Sequence, residues 1–265
     1  MDYYKLLTDK LVSLNNGSIV TDLICTPTEH QIHSLLEGSG NPEAEMWQVN
    51  SSAGLAVNFW RAYELCHPES TVEFEWKKTV PLKRGITANI DAVVRTDIIE
   101  DFYESKFLEP YYSNNEIPRD SYFDATKYSS YTKDNAASWV ELFKKSSEFQ
   151  YYNVTQLFRH LLAISKYIWK NTKYYSNKQV NLISVVWDMP DFFIKLFDED
   201  VADALKKRRD LIRDEAQKCE TLINDFIQKH LQPMNLKFRS IKYNDLIDKI
   251  TDTELNNRLK QQYFL

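Results

Sequence analysis

The chain has 265 residues, is 43% hydrophobic and 27% charged, and carries a formal net charge of −5. That balance describes a globular protein with enough chain to bury a substantial core, and it excludes disordered and fibrous classes. Only five glycines are present, and neither GxxxxGK[ST] nor GxGxxG occurs, so ATP and dinucleotide chemistry is not expected. The negative total gives no global case for nucleic-acid binding, although a local basic groove can exist within an acidic chain. The opening Met-Asp-Tyr-Tyr-Lys leads into no apolar run, and no window approaches the length of a membrane span. A cytoplasmic location with no membrane partner is therefore expected. Cys25, Cys66 and Cys219 are widely spaced and form no CxxC, which fits reduced thiols packed as small apolar residues.

In chain order, residues 2–14 read as an amphipathic helix that Asn15-Asn16-Gly17 stops. A second helix is expected to start at Thr26 as N-cap, with Pro27 at its first position and Glu29 completing a capping box. The break Gly38-Ser39-Gly40-Asn41-Pro42 then separates an N-terminal helical appendage, residues 1–46, from a main domain, residues 47–265. Residues 51–66 have Leu55, Phe59, Ala62, Tyr63 and Cys66 at helical spacing, with Ser51 or Ser52 as the cap. Residues 71–77 alternate Val72, Phe74 and Trp76 against Thr71, Glu73 and Glu75, a strand pattern, and a basic loop with Lys77, Lys78, Lys83 and Arg84 follows.

Residues 87–110 read as two short strands joined by a tight turn. After Pro110 a Tyr-, Ser- and Asn-rich loop extends to Lys133, in a position to stack on bases or to pack over the core. Residues 134–149 and 153–173 read as helices, and residues 179–187 form a continuous apolar run, the signature of a strand buried on both faces. Residues 200–231 are a long helix ended by Pro233, and residues 236–243 a last strand before a polar helix. This alternation predicts an α/β fold, a central mixed sheet with helices on both faces. His30 and His33 beside Cys25 fit no common zinc spacing. Lys206-Lys207-Arg208-Arg209 reads as an ion-paired surface, because Asp210, Asp214 and Glu215 follow on the same helix.

The residues with chemistry lie in the two-strand unit. If its turn is centred on Asp97 and Ile98, Asp91 faces Glu104 directly across the pair, where side chains about 5 Å apart interact and like charges destabilise. Lys106, two residues on, shares the face of Glu104. The pair needs a positive partner, and either that lysine or a divalent cation supplies it. Phosphodiester hydrolysis uses such a cation to polarise the phosphoryl oxygen and to ionise water. Magnesium takes one or two carboxylates and leaves its other positions to water and phosphate.

An acidic residue on one strand followed by Glu-x-Lys on the next resembles the PD-(D/E)XK nuclease superfamily, whose core is a mixed sheet flanked by helices. Asp91 matches the first acidic position, Glu104 the second and Lys106 the lysine; Ile90 replaces the proline of the name. Ser51-Ser52, Asn89-Ile90-Asp91, Glu104-Ser105-Lys106-Phe107 and Gln156-Leu157-Phe158-Arg159-His160 are together similar to a bacterial restriction-endonuclease-like family, over residues 48–243. The resemblance implies a magnesium-dependent deoxyribonuclease, with manganese able to substitute, in which Asp91 and Glu104 hold the metal and Lys106 is catalytic. It implies Glu64 as an additional metal ligand and Gln156 as a further site residue. His160, one turn on from Gln156, is expected with Lys77, Lys78, Lys83 and Arg84 among the DNA contacts. DNA is the implied partner, and restriction-type cutting of both strands favours a homodimer. The alternatives are cleavage of another polynucleotide, a structured junction or RNA; a catalytically inactive nuclease-fold protein that binds nucleic acid or protein; and a purely structural network of the carboxylates with Lys106.

Overall fold

A computed structural model describes residues 2–38, 42–80, 82, 87–128, 135–232 and 234–265. Their helices are α1 (Tyr3–Leu14), α2 (Glu29–Leu36), α3 (Pro42–Glu45), α4 (Ser52–Cys66), α5 (Glu109–Tyr112), α6 (Ala136–Lys144), α7 (Val154–Lys170), α8 (Thr172–Tyr175), α9 (Asp191–Ile194), α10 (Glu199–His230), α11 (Tyr243–Leu246) and α12 (Thr253–Tyr263). The strands are β1 (Thr71–Thr79), β2 (Thr87–Arg95), β3 (Ile99–Lys106), β4 (Gln179–Val186) and β5 (Leu236–Lys242), in the spatial order β1-β2-β3-β4-β5. The first three form an antiparallel meander. β3, β4 and β5 run parallel, each joined to the next by a helical crossover, as parallel neighbours require. The fold is the expected α/β class with a central mixed sheet between helices.

Each face of the sheet is covered by a helix whose apolar stripe dictates its seat. On one side Trp60 of α4 lies over Tyr103, ring centroids 3.8 Å apart, and Phe59 packs on Tyr243. On the other, Tyr167 of α7 meets Trp76 of β1, which in turn meets Phe102 of β3. Both sheet edges are closed by side chains, removing the unpaired backbone that invites association. At β5, Asn224 of α10 donates to the carbonyl of Phe238 and accepts from its N–H, while Glu220 accepts from Ser240 N–H. At β1, Gln31 of α2 donates to the Val72 carbonyl and Glu64 accepts from its N–H.

One local expectation is corrected. The second helix is capped by Thr28, not Thr26: the capping box is Thr28 with Gln31. Gln31 decides the register because its amide also anchors on Glu64 and Val72, so the helix starts where tertiary contacts hold it. Of the two readings of the aromatic loop, packing over the core holds at Tyr111, Tyr122 and Tyr128, which are all buried. The residues expected as an appendage contribute Leu7, Leu11, Ile24, Cys25, Leu35 and Met46 to the same buried cluster as the sheet. No described helix is long and apolar enough to cross a membrane.

Candidate functional site

The hairpin has the register that a turn at Asp97 and Ile98 dictates: Arg95↔Glu100, Val94↔Asp101, Val93↔Phe102 and Ala92↔Tyr103. The ladder ends at Ala92↔Tyr103. Beyond it the Asp91 carboxylate takes the place of a strand carbonyl, accepting the Ser105 N–H at 2.6 Å. The Ser105 hydroxyl faces away from that bond and lies 2.6 Å from the buried Tyr243 hydroxyl.

Glu104 is 1% exposed and both its oxygens are engaged. Lys106 Nζ donates to Oε1 at 2.5 Å and His160 Nε2 lies 2.8 Å from Oε2. A carboxylate only accepts, so the imidazole carries its proton on Nε2. His160 Nδ1 is then the lone-pair nitrogen, and it has no hydrogen-bond partner among the described residues. Burial alone would push the Glu104 carboxyl up, but Lys106 and His160 outweigh it and hold it down to about 2. Burial works the other way on the Lys106 ammonium, and Glu104, Asp91 and Glu109 raise it above its ordinary range despite that. Burial keeps His160 below its usual value and therefore neutral near pH 7, against the pull of Glu104. The set is thus one anion, one cation and one neutral imidazole.

Asp91 differs. Burial first and then the Glu104 charge push its carboxyl well above the usual range; Lys106 lowers it and Glu75 raises it further. Glu75 accepts from the Asn89 side-chain amide and sits in the middle of β1 at φ 55°, a left-handed conformation that costs a non-glycine residue about 1–3 kcal/mol. Gly38 allows the chain to pass it: a Cβ there would come within 2.8 Å of Glu75 Cγ. Asp91, Glu104 and Glu109 all act on the Lys106 ammonium. Two strand carboxylates are donors of the kind magnesium takes. Lys106 would have to release one Glu104 oxygen for both acids to share an ion. Among the described residues no group of three or more His, Cys, Asp or Glu side chains stands arranged to hold a metal.

A cavity of about 130 Å³ opens above Glu104 and Lys106, lined also by Glu109, Tyr151, Tyr152 and Asn153. Glu215 of α10 fixes that loop, its carboxylate accepting the consecutive N–H groups of Gln150, Tyr151 and Tyr152 at 2.7–2.9 Å. Nothing in the local sequence signals this contact, which spans more than sixty residues of chain.

The structure separates the remaining expected residues from this centre. Glu64 is not brought to it. Its oxygens are committed to Gln31, Arg61 and the Val72 N–H, because the last turn of α4 lies at the start of β1. Gln156 does not line the cavity; its amide oxygen accepts from Asn153, the cap of its own helix. His160 cannot touch nucleic acid, since it is fully buried. It is a positioning group for Glu104. Lys77 donates to the Glu37 carbonyl at 3.0 Å, and Lys78 lies 5.2 Å from both the Trp76 and Tyr167 rings. Lys83 and Arg84 lie outside the described residues. The basic run of α10 is more than a solvated face: Arg208 donates to the Pro110 and Ser113 carbonyls and stacks on Tyr151, 4.0 Å from the ring.

No family model matches the chain, and neither a curated protein nor a solved structure matches it.

Proposed function

We propose that this chain is a metal-dependent nuclease that hydrolyses DNA phosphodiester bonds, an endonuclease of restriction, repair or defence type. The carrying observation is the convergence of Asp91, Glu104 and Lys106 where the β2–β3 ladder opens. Asp91 and Glu104 are the residues that would hold magnesium or manganese. Such an ion, when bound, polarises the phosphoryl oxygen and eases ionisation of the attacking water. The chain's own groups do the rest. Lys106, protonated at neutral pH, presents a cation to the charge that grows on the phosphoryl oxygens. His160 and the Ser105 N–H each hold one oxygen of the two carboxylates in place. A DNA substrate with cleavage of both strands implies that two copies act together.

The test is incubation of supercoiled, linear and single-stranded DNA with magnesium, with Lys106→Ala and Glu104→Ala as controls. Cleavage by the wild type and a loss of at least about a hundredfold in both variants is expected. Near-native cleavage in both removes the assignment.

One observation favours a second reading. Both Glu104 oxygens are already satisfied by protein donors, as in a structural ion-pair network within a binding protein. The two readings part on magnesium calorimetry: the nuclease binds the ion and the structural network gives no heat.

A further inference from the structure

A second cavity, of about 340 Å³, lies at the carboxyl ends of β4 and β5, against α10. Crevices outside the carboxyl ends of parallel strands are where open α/β sheets hold ligands. This one falls within the roughly 300–1,000 Å³ typical of small-molecule sites. Val186, Ile212, Ala216 and Ile241 give it aliphatic walls. Tyr111 and Trp187 also border it but are 1% and 0% exposed, so they present no ring face to a ligand.

The rim carries two cations. Arg213 grips Asp188 through Nε at 2.9 Å and Nη2 at 2.7 Å, and Lys242 Nζ reaches the same carboxylate at 3.1 Å. Asp210 takes a weaker contact from Arg213 at 3.4 Å, and Glu220 is turned away onto the Ser240 N–H. Guanidinium has five N–H donors and ammonium three, so both retain donors beyond these bonds. Both side chains are 40% exposed at the mouth. An apolar cavity with an arginine and a lysine at its entrance fits a ligand with an apolar body that bears a phosphate.

The cavity also has a fixed relation to the first. Lys106 pairs in register with Val186, and Val186 with Lys242. The two lysines therefore stand in one row across three adjacent strands, two spacings of about 5 Å apart. Helix α5 divides the cavities: Pro110 lines the first and Tyr111 the second.

We propose that this second cavity is a nucleotide site, with the base and sugar against Val186, Ala216 and Ile241 and the phosphate on Arg213 and Lys242. The shared chemistry is a nucleoside phosphate. It comes either from a nucleotide of the polynucleotide flanking the bond to be cut, a form that rests on the nuclease reading, or from a free mononucleotide.

The experiment titrates the full chain, in EDTA so that no cleavage intervenes, with adenosine 5′-monophosphate, adenosine and inorganic phosphate by calorimetry. A labelled single-stranded oligonucleotide is followed in parallel by anisotropy. Ala216→Phe fills the cavity, Lys242→Met removes a phosphate donor, and Lys106→Ala disables the first site. Saturable monophosphate binding is expected, weakened about tenfold or more in Ala216→Phe and in Lys242→Met and unchanged in Lys106→Ala. Displacement of the oligonucleotide by the monophosphate assigns the site to the polynucleotide; binding without displacement assigns it to a free nucleotide. Absence of monophosphate binding, or equal affinity in Ala216→Phe and Lys242→Met once both are shown to melt as folded proteins, overturns the proposal. Monophosphate binding by a wild type that cuts no DNA leaves this site standing and removes the nuclease reading alone.

Discussion

Strand β3 buries two glutamates, Glu100 and Glu104, each 1% exposed, and the chain treats them differently. Glu100 lies where the β2–β3 ladder is closed. It accepts from Arg95 Nε at 2.8 Å, directly across the pair, and from the Tyr175 hydroxyl at 2.8 Å, while Arg95 also holds Glu73. Glu104 lies where the ladder has opened, below a cavity, with Lys106 and His160 on its oxygens. A buried carboxylate therefore marks no site by itself. On the proposed function, the opened ladder marks the functional end of the hairpin and the closed ladder the structural one.

Removing the cation at each end is the strongest way to break this comparison. Lys106→Met and Arg95→Met each leave a buried glutamate without its charged partner, and each is expected to cost about 3–5 kcal/mol by thermal or urea unfolding. Only Lys106→Met should also abolish DNA cleavage. Equal loss of cleavage in Arg95→Met, measured on folded protein, would make the two ends equivalent.

Asp91→Asn sharpens the contrast. A carboxyl whose folded pKa is raised contributes stability below its unfolded value and loses it as pH rises through the folded value. At pH 7 that penalty is present, and asparagine escapes it while its amide oxygen still accepts the Ser105 N–H. Thermal melting should show a gain of about 1 kcal/mol together with loss of activity, the trade expected where strain serves function. A destabilised variant would mean that Asp91 is structural.

Glu104 has the opposite sign. Its carboxyl is lowered to about 2, so its contribution to stability is complete above the ordinary carboxylate range and is lost as pH falls towards 2. Glu104→Gln should flatten the acid limb of a stability-against-pH curve over that window, and an unchanged limb would contradict the ion-pair geometry. The mildest loss of cleavage is expected from His160→Leu, which removes one donor to Glu104 and costs about 1–3 kcal/mol of stability. Cleavage should fall less than in Lys106→Met, because the lysine remains in place.

The hairpin register was legible only through the turn: a centre at Asp97 and Ile98 gives the observed pairing, whereas alternation could not choose it, because the adjacent Val93 and Val94 are buried on opposite faces. Ser51 was equally legible as a cap, since its hydroxyl serves only N–H groups two and three residues on. Glu64 and His160 were not legible in their actual roles. Each has its side chain placed by a partner more than thirty residues away, Gln31 in one case and Glu104 in the other. Glu75 alternates like any strand residue, and nothing in that pattern announces its left-handed backbone. Spacing reads contacts within one element; contacts between elements need the packing.

Magnesium calorimetry on the wild type and Asp91→Asn bears most directly on the central claim, that the open end of the hairpin is a cation site and the closed end is not. The expected result is saturable heat in the wild type that strengthens as pH rises, because the ion competes with the proton that the raised Asp91 carboxyl retains, and no heat in Asp91→Asn. A wild type silent to magnesium and manganese across that range, or an Asp91→Asn variant that binds as tightly, would contradict it.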